Sequence, residues 1–179
     1  MQKIILITGA VTSGKTTFLS SLAGRLSSGW AVDGFLAKAP ERIHCSAQFA
    51  SGYVLCRLGK EETYPWATPR ENNNGYFFDP DTQYFLDHPF ARQVAGNGPD
   101  ILLLDELGKL ELKGAGLEKV LQAAIQAGIS MLVCTVKKRC FNDIVEKYNL
   151  QAALEIDLDI MDSRHAIEKI IRYINVMGS

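Results

Sequence analysis

Gly9-Ala10-Val11-Thr12-Ser13-Gly14-Lys15-Thr16, standing directly behind Lys3-Ile4-Ile5-Leu6-Ile7-Thr8, is the stretch that decides the fold. It satisfies G-x-x-x-x-G-K-[ST], the phosphate-loop pattern. Each position in that pattern has a physical job. Gly9 and Gly14 free the backbone to curl, so that successive N–H groups turn inward around a phosphate. A helix opening at Lys15 adds its own unpaired N–H groups and the positive end of its dipole. The Lys15 ammonium reaches β- and γ-phosphate oxygens, and the Thr16 hydroxyl is of the type that ligates Mg²⁺. The nucleotide-binding set is therefore Gly9, Ala10, Val11, Thr12, Ser13, Gly14, Lys15, Thr16 and Thr17.

The surroundings supply the context the motif needs. Lys3 to Thr8 is a short β-branched run that ends at a glycine, as a buried parallel strand does. Phe18, Leu19, Leu22 and Leu26 then recur at helical spacing, with Gly29 as the expected C-terminal cap. From Trp30 to Asp79 the apolar pieces are short and broken by Pro40, Gly52, Gly59, Pro65, Pro69 and Asn72-Asn73-Asn74-Gly75, which predicts strands and hairpins. Thr82 to Ala95 reads as a helix despite Pro89, Ile101 to Leu104 as a buried strand, and Leu117 to Ile125 as a helix stopped at Gly128. Ile129 to Thr135 is the next strand, Phe141 to Tyr148 the next helical stripe, and Leu154 to Leu158 a short strand. Ser163 is placed to cap a last helix carrying Ile167, Ile170, Ile171 and Ile174. Such alternation predicts an α/β fold of three layers, a mostly parallel sheet with helices on both faces. Residues 1–179 read as a single domain with 30–79 as a strand- and turn-rich insertion.

A phosphate-loop protein needs a carboxylate at the end of another strand to hold the metal shell. Ile101-Leu102-Leu103-Leu104-Asp105 supplies one, on a strand expected beside Lys3–Thr8, and so Thr16 and Asp105 are the metal residues. Glu106 follows at once and is assigned as general base or water-positioning group. Asp105-Glu106-Leu107-Gly108 also fits D-x-x-G, but the sequence has no Asn-Lys-x-Asp element to read guanine. Lys137-Lys138-Arg139 follows a parallel strand and falls on the same edge, where a cation can offset charge on the γ-phosphate. Arg139 is favoured for its planar fork. Tyr64, Trp66, Tyr76, Phe77 and Phe78 read first as hairpin packing and second as a base-stacking platform.

With 19 Lys+Arg against 20 Asp+Glu, the net charge of −1 gives no footprint for nucleic acid or an anionic membrane. At 47% apolar and 22% charged the composition is that of an ordinary globular domain. The uncharged run from Val120 to Val136 is interrupted by polar residues and is too short for a membrane span. The apolar run Ile4 to Ile7 is too short for a secretory signal. Cys45, Cys56, Cys134 and Cys140 lack Cys-x-x-Cys spacing and read as reduced thiols, and His44, His88 and His165 lack metal-ligand spacing. A cytoplasmic location is expected.

In this setting Asp105-Glu106-Leu107-Gly108-Lys109-Leu110-Glu111-Leu112 resembles the DEIGKMEL segment of the small P-loop nucleoside-triphosphatases of the THEP1 type. Gly34-Phe35 after the first helix, Gly75-Tyr76-Phe77-Phe78-Asp79 before the middle helix, and Thr135 at the end of the later strand fall in that family's order. The resemblance implies a RecA-like fold, Mg²⁺-dependent hydrolysis of ATP, GTP and other nucleoside triphosphates to the diphosphate and phosphate, and loose choice of base. By position, Lys15, Thr16, Asp105 and Glu106 match the family's phosphate, metal and catalytic sites. The loop here lacks the family's proline and extra glycine, and Leu36-Ala37-Lys38-Ala39 stands where Thr and acidic residues are usual. The same cradle serves phosphoryl transfer to an acceptor, so a small-molecule or nucleotide kinase and a nucleotide-dependent partner-binding switch remain open.

Overall fold

The structure, a computed structural model, describes residues 2–39, 52–70 and 75–177. Pro40, His44, Cys45 and Asn72 to Asn74 lie outside the described residues. Along the chain run β1 (Lys3–Thr8), α1 (Lys15–Leu26), β2 (Val32–Lys38), β3 (Tyr53–Arg57), β4 (Thr63–Pro69), β5 (Tyr76–Phe78), α2 (Pro80–Phe85), α3 (Ala91–Asn97) and β6 (Ile101–Leu107). Then come α4 (Lys109–Leu112), α5 (Glu118–Ala127), β7 (Met131–Val136), α6 (Phe141–Tyr148), β8 (Ala152–Asp157) and α7 (Ser163–Met177). One sheet joins all the strands in the order β5-β4-β3-β2-β6-β7-β1-β8. From β2 to β8 the pairing is parallel, and β3, β4 and β5 extend the β2 edge antiparallel.

The central strands β1, β6 and β7 carry no polar alternation because both faces are covered. On one side Ile4 and Leu6 of β1, Leu102 and Leu104 of β6, and Leu132 and Cys134 of β7 pack with Phe90, Val94, Val120, Leu121 and Ile144. On the other, Ile5, Ile7, Ile101, Leu103 and Val133 meet Phe18, Leu19 and Leu22 of α1 and Ile167, Ile170 and Ile174 of α7. The expected three-layer α/β architecture is what these residues build.

Several local expectations change. The strand carrying Asp105 is separated from β1 by β7, which supplies the hydroxyl of Thr135 between them. The described strands within 30–79 join the main sheet: β2 pairs in parallel with β6, and β3, β4 and β5 continue from it antiparallel. Pro65 lies inside β4 rather than breaking it, on the stretch that β5, paired only from Ala67 to Pro69, leaves as an edge. Helix 82–95 divides around Pro89, which has no N–H for the Phe85 carbonyl. Leu86–Phe90 widens there into a π-helical turn between α2 and α3. α1 closes on Ser27, whose N–H and hydroxyl both donate to the Ala23 carbonyl, two residues before Gly29. α7 is capped by Asp162 rather than Ser163, its carboxylate accepting the N–H groups of Arg164 and His165. Gly128, at φ 65°, does end α5. Among the described residues no helix is long and apolar enough to cross a membrane.

Two residues fix how the acidic strand sits. Gly34 of β2 faces Leu103 of β6 so closely that a Cβ built on it lies 1.9 Å from the Leu103 carbonyl oxygen. Glu111 is 3% exposed and ties the turn after β6, with one carboxylate oxygen accepting the Gly108 N–H at 2.7 Å and the other the Leu117 N–H at 3.0 Å. Gly34→Ala sets a methyl against backbone that cannot yield and should cost about 3 kcal/mol or more. Glu111→Ala orphans two buried donors and should cost about 2–4 kcal/mol. Urea denaturation checks both, and a Gly34→Ala midpoint equal to that of wild type would contradict the close β2–β6 approach.

Candidate functional site

The loop between β1 and α1 closes on itself. A Cβ at Gly9 would stand 2.6 Å from Ser13 Oγ, and Gly14 takes the left-handed conformation at φ 82°. The Ser13 N–H donates to the Ala10 carbonyl at 3.2 Å, and the first intrahelical bond is Phe18 N–H to the Gly14 carbonyl at 2.8 Å. The N–H groups ahead of Phe18 are therefore outside the helical ladder and face the loop. Ser13 Oγ is buried there with no hydrogen-bond partner among the described residues. Lys15, 7% exposed, folds under the loop and donates to the carbonyls of Gly9 at 3.1 Å and Ala10 at 2.9 Å.

Asp105 emerges from β6 at the same sheet edge and is 2% exposed. Its Oδ2 accepts from Thr16 Oγ1 at 2.7 Å and from the Ala37 N–H at 3.2 Å, and its Oδ1 from Thr135 Oγ1 at 2.6 Å. Burial pushes the Asp105 carboxyl above the usual carboxylate range, against the pull of the two hydroxyls. Thr16 and Asp105 thus present two hard oxygen donors in contact, a set that fits Mg²⁺ completed by phosphate oxygens and water. No group of three or more His, Cys, Asp or Glu side chains among the described residues makes another metal site.

Glu106 has different partners. Its side chain is 29% exposed, with Oε1 at 3.3 Å from Lys15 Nζ and Oε2 at 3.5 Å from Lys137 Nζ. The sequence singled out Lys137 to Arg139 as a group, and the three side chains separate. Lys137 joins Glu106, while Lys138 pairs with Asp157, the last residue of β8, at 3.0 Å and with Asp159 just beyond it at 2.6 Å. Arg139 is exposed and makes no hydrogen bond or ion pair among the described residues.

Asp159 escaped the sequence reading. Its carboxylate accepts the Ala10 N–H through both oxygens, at 2.8 and 3.1 Å, and Lys138 together with that N–H holds it below the usual range. Its signal was available, since β8 is parallel to β1 and an acid just past its carboxyl end falls at the loop. The aromatic side chains pack mainly on one another: Tyr64 stacks on Phe85 at 4.6 Å, Trp66 meets Phe78, and Tyr76 meets Tyr53. Phe77 is 58% exposed. Cys134 and Cys140 are buried free thiols.

Comparison with known proteins agrees with this geometry. A family model described as NTPase matches residues 4–171. The crystal structure of THEP1 from the hyperthermophile Aquifex aeolicus aligns with a TM-score of 0.63 at 20% identity, over 95% of this chain and 96% of that one, a likeness of fold. No curated protein matches the sequence. A phosphate loop facing a strand-end carboxylate, in a sequence matched by the family model along nearly its whole length, makes the chain a P-loop member of the NTPase family.

Proposed function

We propose that the protein is a Mg²⁺-dependent nucleoside-triphosphatase that hydrolyses ATP, GTP and other nucleoside triphosphates to the diphosphate and phosphate. The observation that carries this reading is the juxtaposition of Lys15, the Thr16–Asp105 oxygen pair and the partly exposed Glu106 at one sheet edge. The backbone from Gly9 to Thr17 cradles the phosphates, and the Lys15 ammonium exchanges the Gly9 and Ala10 carbonyls for β- and γ-oxygens. Thr16 and Asp105 hold the metal, which neutralises phosphate charge when bound. Glu106 accepts a proton from water as the water oxygen bonds to the γ-phosphorus and the bond to the β–γ bridging oxygen breaks. The electron pair of that bond leaves with the diphosphate.

Arg139, free of partners among the described residues, is the guanidinium of the β7–α6 turn available to the γ-phosphate oxygens. Recognition rests on phosphates and metal, with the aromatic residues committed largely to one another, and this favours a broad choice of base. The buried free thiols suit a reducing compartment, and we place the protein in the cytoplasm.

Phosphate release from ATP, GTP, CTP, UTP and ITP, with no acceptor present, should require Mg²⁺ and disappear with EDTA or in Lys15→Ala. A wild-type protein that releases nothing under any of these conditions points instead to a kinase or a switch. Glu106→Gln should keep nucleotide affinity while turnover falls by ~10²–10⁴. Undiminished release in that variant would remove Glu106 from the mechanism.

A further inference from the structure

Lys137 is set where no simple surface lysine needs to be. It stands at the end of β7 in extended conformation, φ −60° and ψ 122°, and its N–H donates to the Leu107 carbonyl at 2.9 Å. Its backbone is thereby fixed to β6 just after the acidic pair. Its stem then crosses the face of Gly108: a Cβ on that residue would lie 2.8 Å from Lys137 Cδ and 3.3 Å from Cγ. The missing side chain at Gly108 is the channel along which the lysine reaches Glu106.

At the end of that channel the carboxylate is divided between two cations, Oε1 facing Lys15 and Oε2 facing Lys137. Lys15 belongs to the phosphate loop and has a stronger partner whenever phosphate is present. Lys137 does not share that freedom, because its backbone and stem are held on β6 and Gly108. Its ammonium, with the side chain 41% exposed, contributes little to stability as an ion pair. Its effect is orientation.

We propose that Lys137 is a positioning residue for Glu106: it retains Oε2, so that Oε1, on the phosphate-loop side, is the oxygen that meets the attacking water. This rests on the assignment of Glu106 as the water-activating group. A rotation of the carboxylate away from the loop would separate the proton acceptor from the water, and misplacements of that size are costly to rate.

The test is a double-mutant cycle on the whole protein with MgATP as substrate and a fluorescent ADP analogue as the affinity probe. Lys137→Met should lower kcat by about ten- to a hundredfold while KM and the dissociation constant of the probe stay within about threefold of wild type. Lys137→Arg, which keeps the charge, should recover most of the rate. In the Glu106→Gln background, Lys137→Met should slow turnover by less than about twofold more, because the group it orients is gone. Full turnover in Lys137→Met, a loss seen in KM instead of kcat, or the same proportional loss with and without Glu106 would each overturn the proposal. If Glu106→Gln keeps the wild-type rate, the reading of Glu106 falls and this one with it. If Glu106→Gln is slow and Lys137→Met is not, only the role of Lys137 falls.

Discussion

The interaction on which the site depends is the triple capture of the Asp105 carboxylate. A carboxylate that is 2% exposed loses most of its hydration, and burial alone drives it toward the protonated form. Three donors oppose that, and each comes from a different element: Thr16 from α1, Thr135 from β7 and the Ala37 N–H from β2. The carboxylate therefore fastens the start of the phosphate-loop helix to three neighbouring strands. The strand order makes this possible, since β7, placed between β1 and β6, brings its hydroxyl to the one oxygen that Thr16 leaves unclaimed.

Glu106, the next residue along the chain, sits in opposite surroundings. Asp105 is bound by hydroxyls and a backbone N–H in the interior, whereas Glu106 lies partly exposed between two ammonium groups. Adjacent carboxylates in contrasting environments suit the contrasting tasks proposed for them, a fixed metal ligand and a group that exchanges protons with water. The peptide between them is cis, and the turn that follows is held by the buried carboxylate of Glu111 on the Gly108 and Leu117 N–H groups.

Much of this was legible in the sequence because the signals are local. β1, the glycine loop and α1 are contiguous, and a run such as Ile101 to Leu104 announces a strand covered on both faces. What the sequence could not show is what depends on neighbours far along the chain. Nothing local tells that β7 rather than β6 lies beside β1, or that Pro65 falls where β4 pairs with β3 but not with β5. Helix ends were misplaced by a residue or two where an oxygen other than the expected one captured the free N–H or carbonyl, as Asp162 and Ser27 do. In the basic turn, composition favoured Arg139 for its chemistry, but the contact with Glu106 belongs to Lys137 because only its stem runs along Gly108.

That turn also explains how so nearly neutral a chain can prepare a site for a highly charged ligand. Lys137 and Lys138 are consecutive, yet one reaches the end of β6 and the other the acids at the end of β8, where Asp159 holds the Ala10 N–H. Extended backbone at Lys137 followed by the tight turn Lys138–Cys140 sends the two stems to opposite sides of β7 and β1. The ammonium groups of Lys15, Lys137 and Lys138 each rest on a carboxylate, so the charges are already gathered and oriented. In the proposed mechanism an incoming polyphosphate replaces the carboxylate on Lys15 alone, with Lys137 and Lys138 already held, which avoids ordering several long side chains at the moment of binding. In that mechanism phosphate competes with Glu106 for Lys15, and that competition would release Oε1 of Glu106 to take a proton.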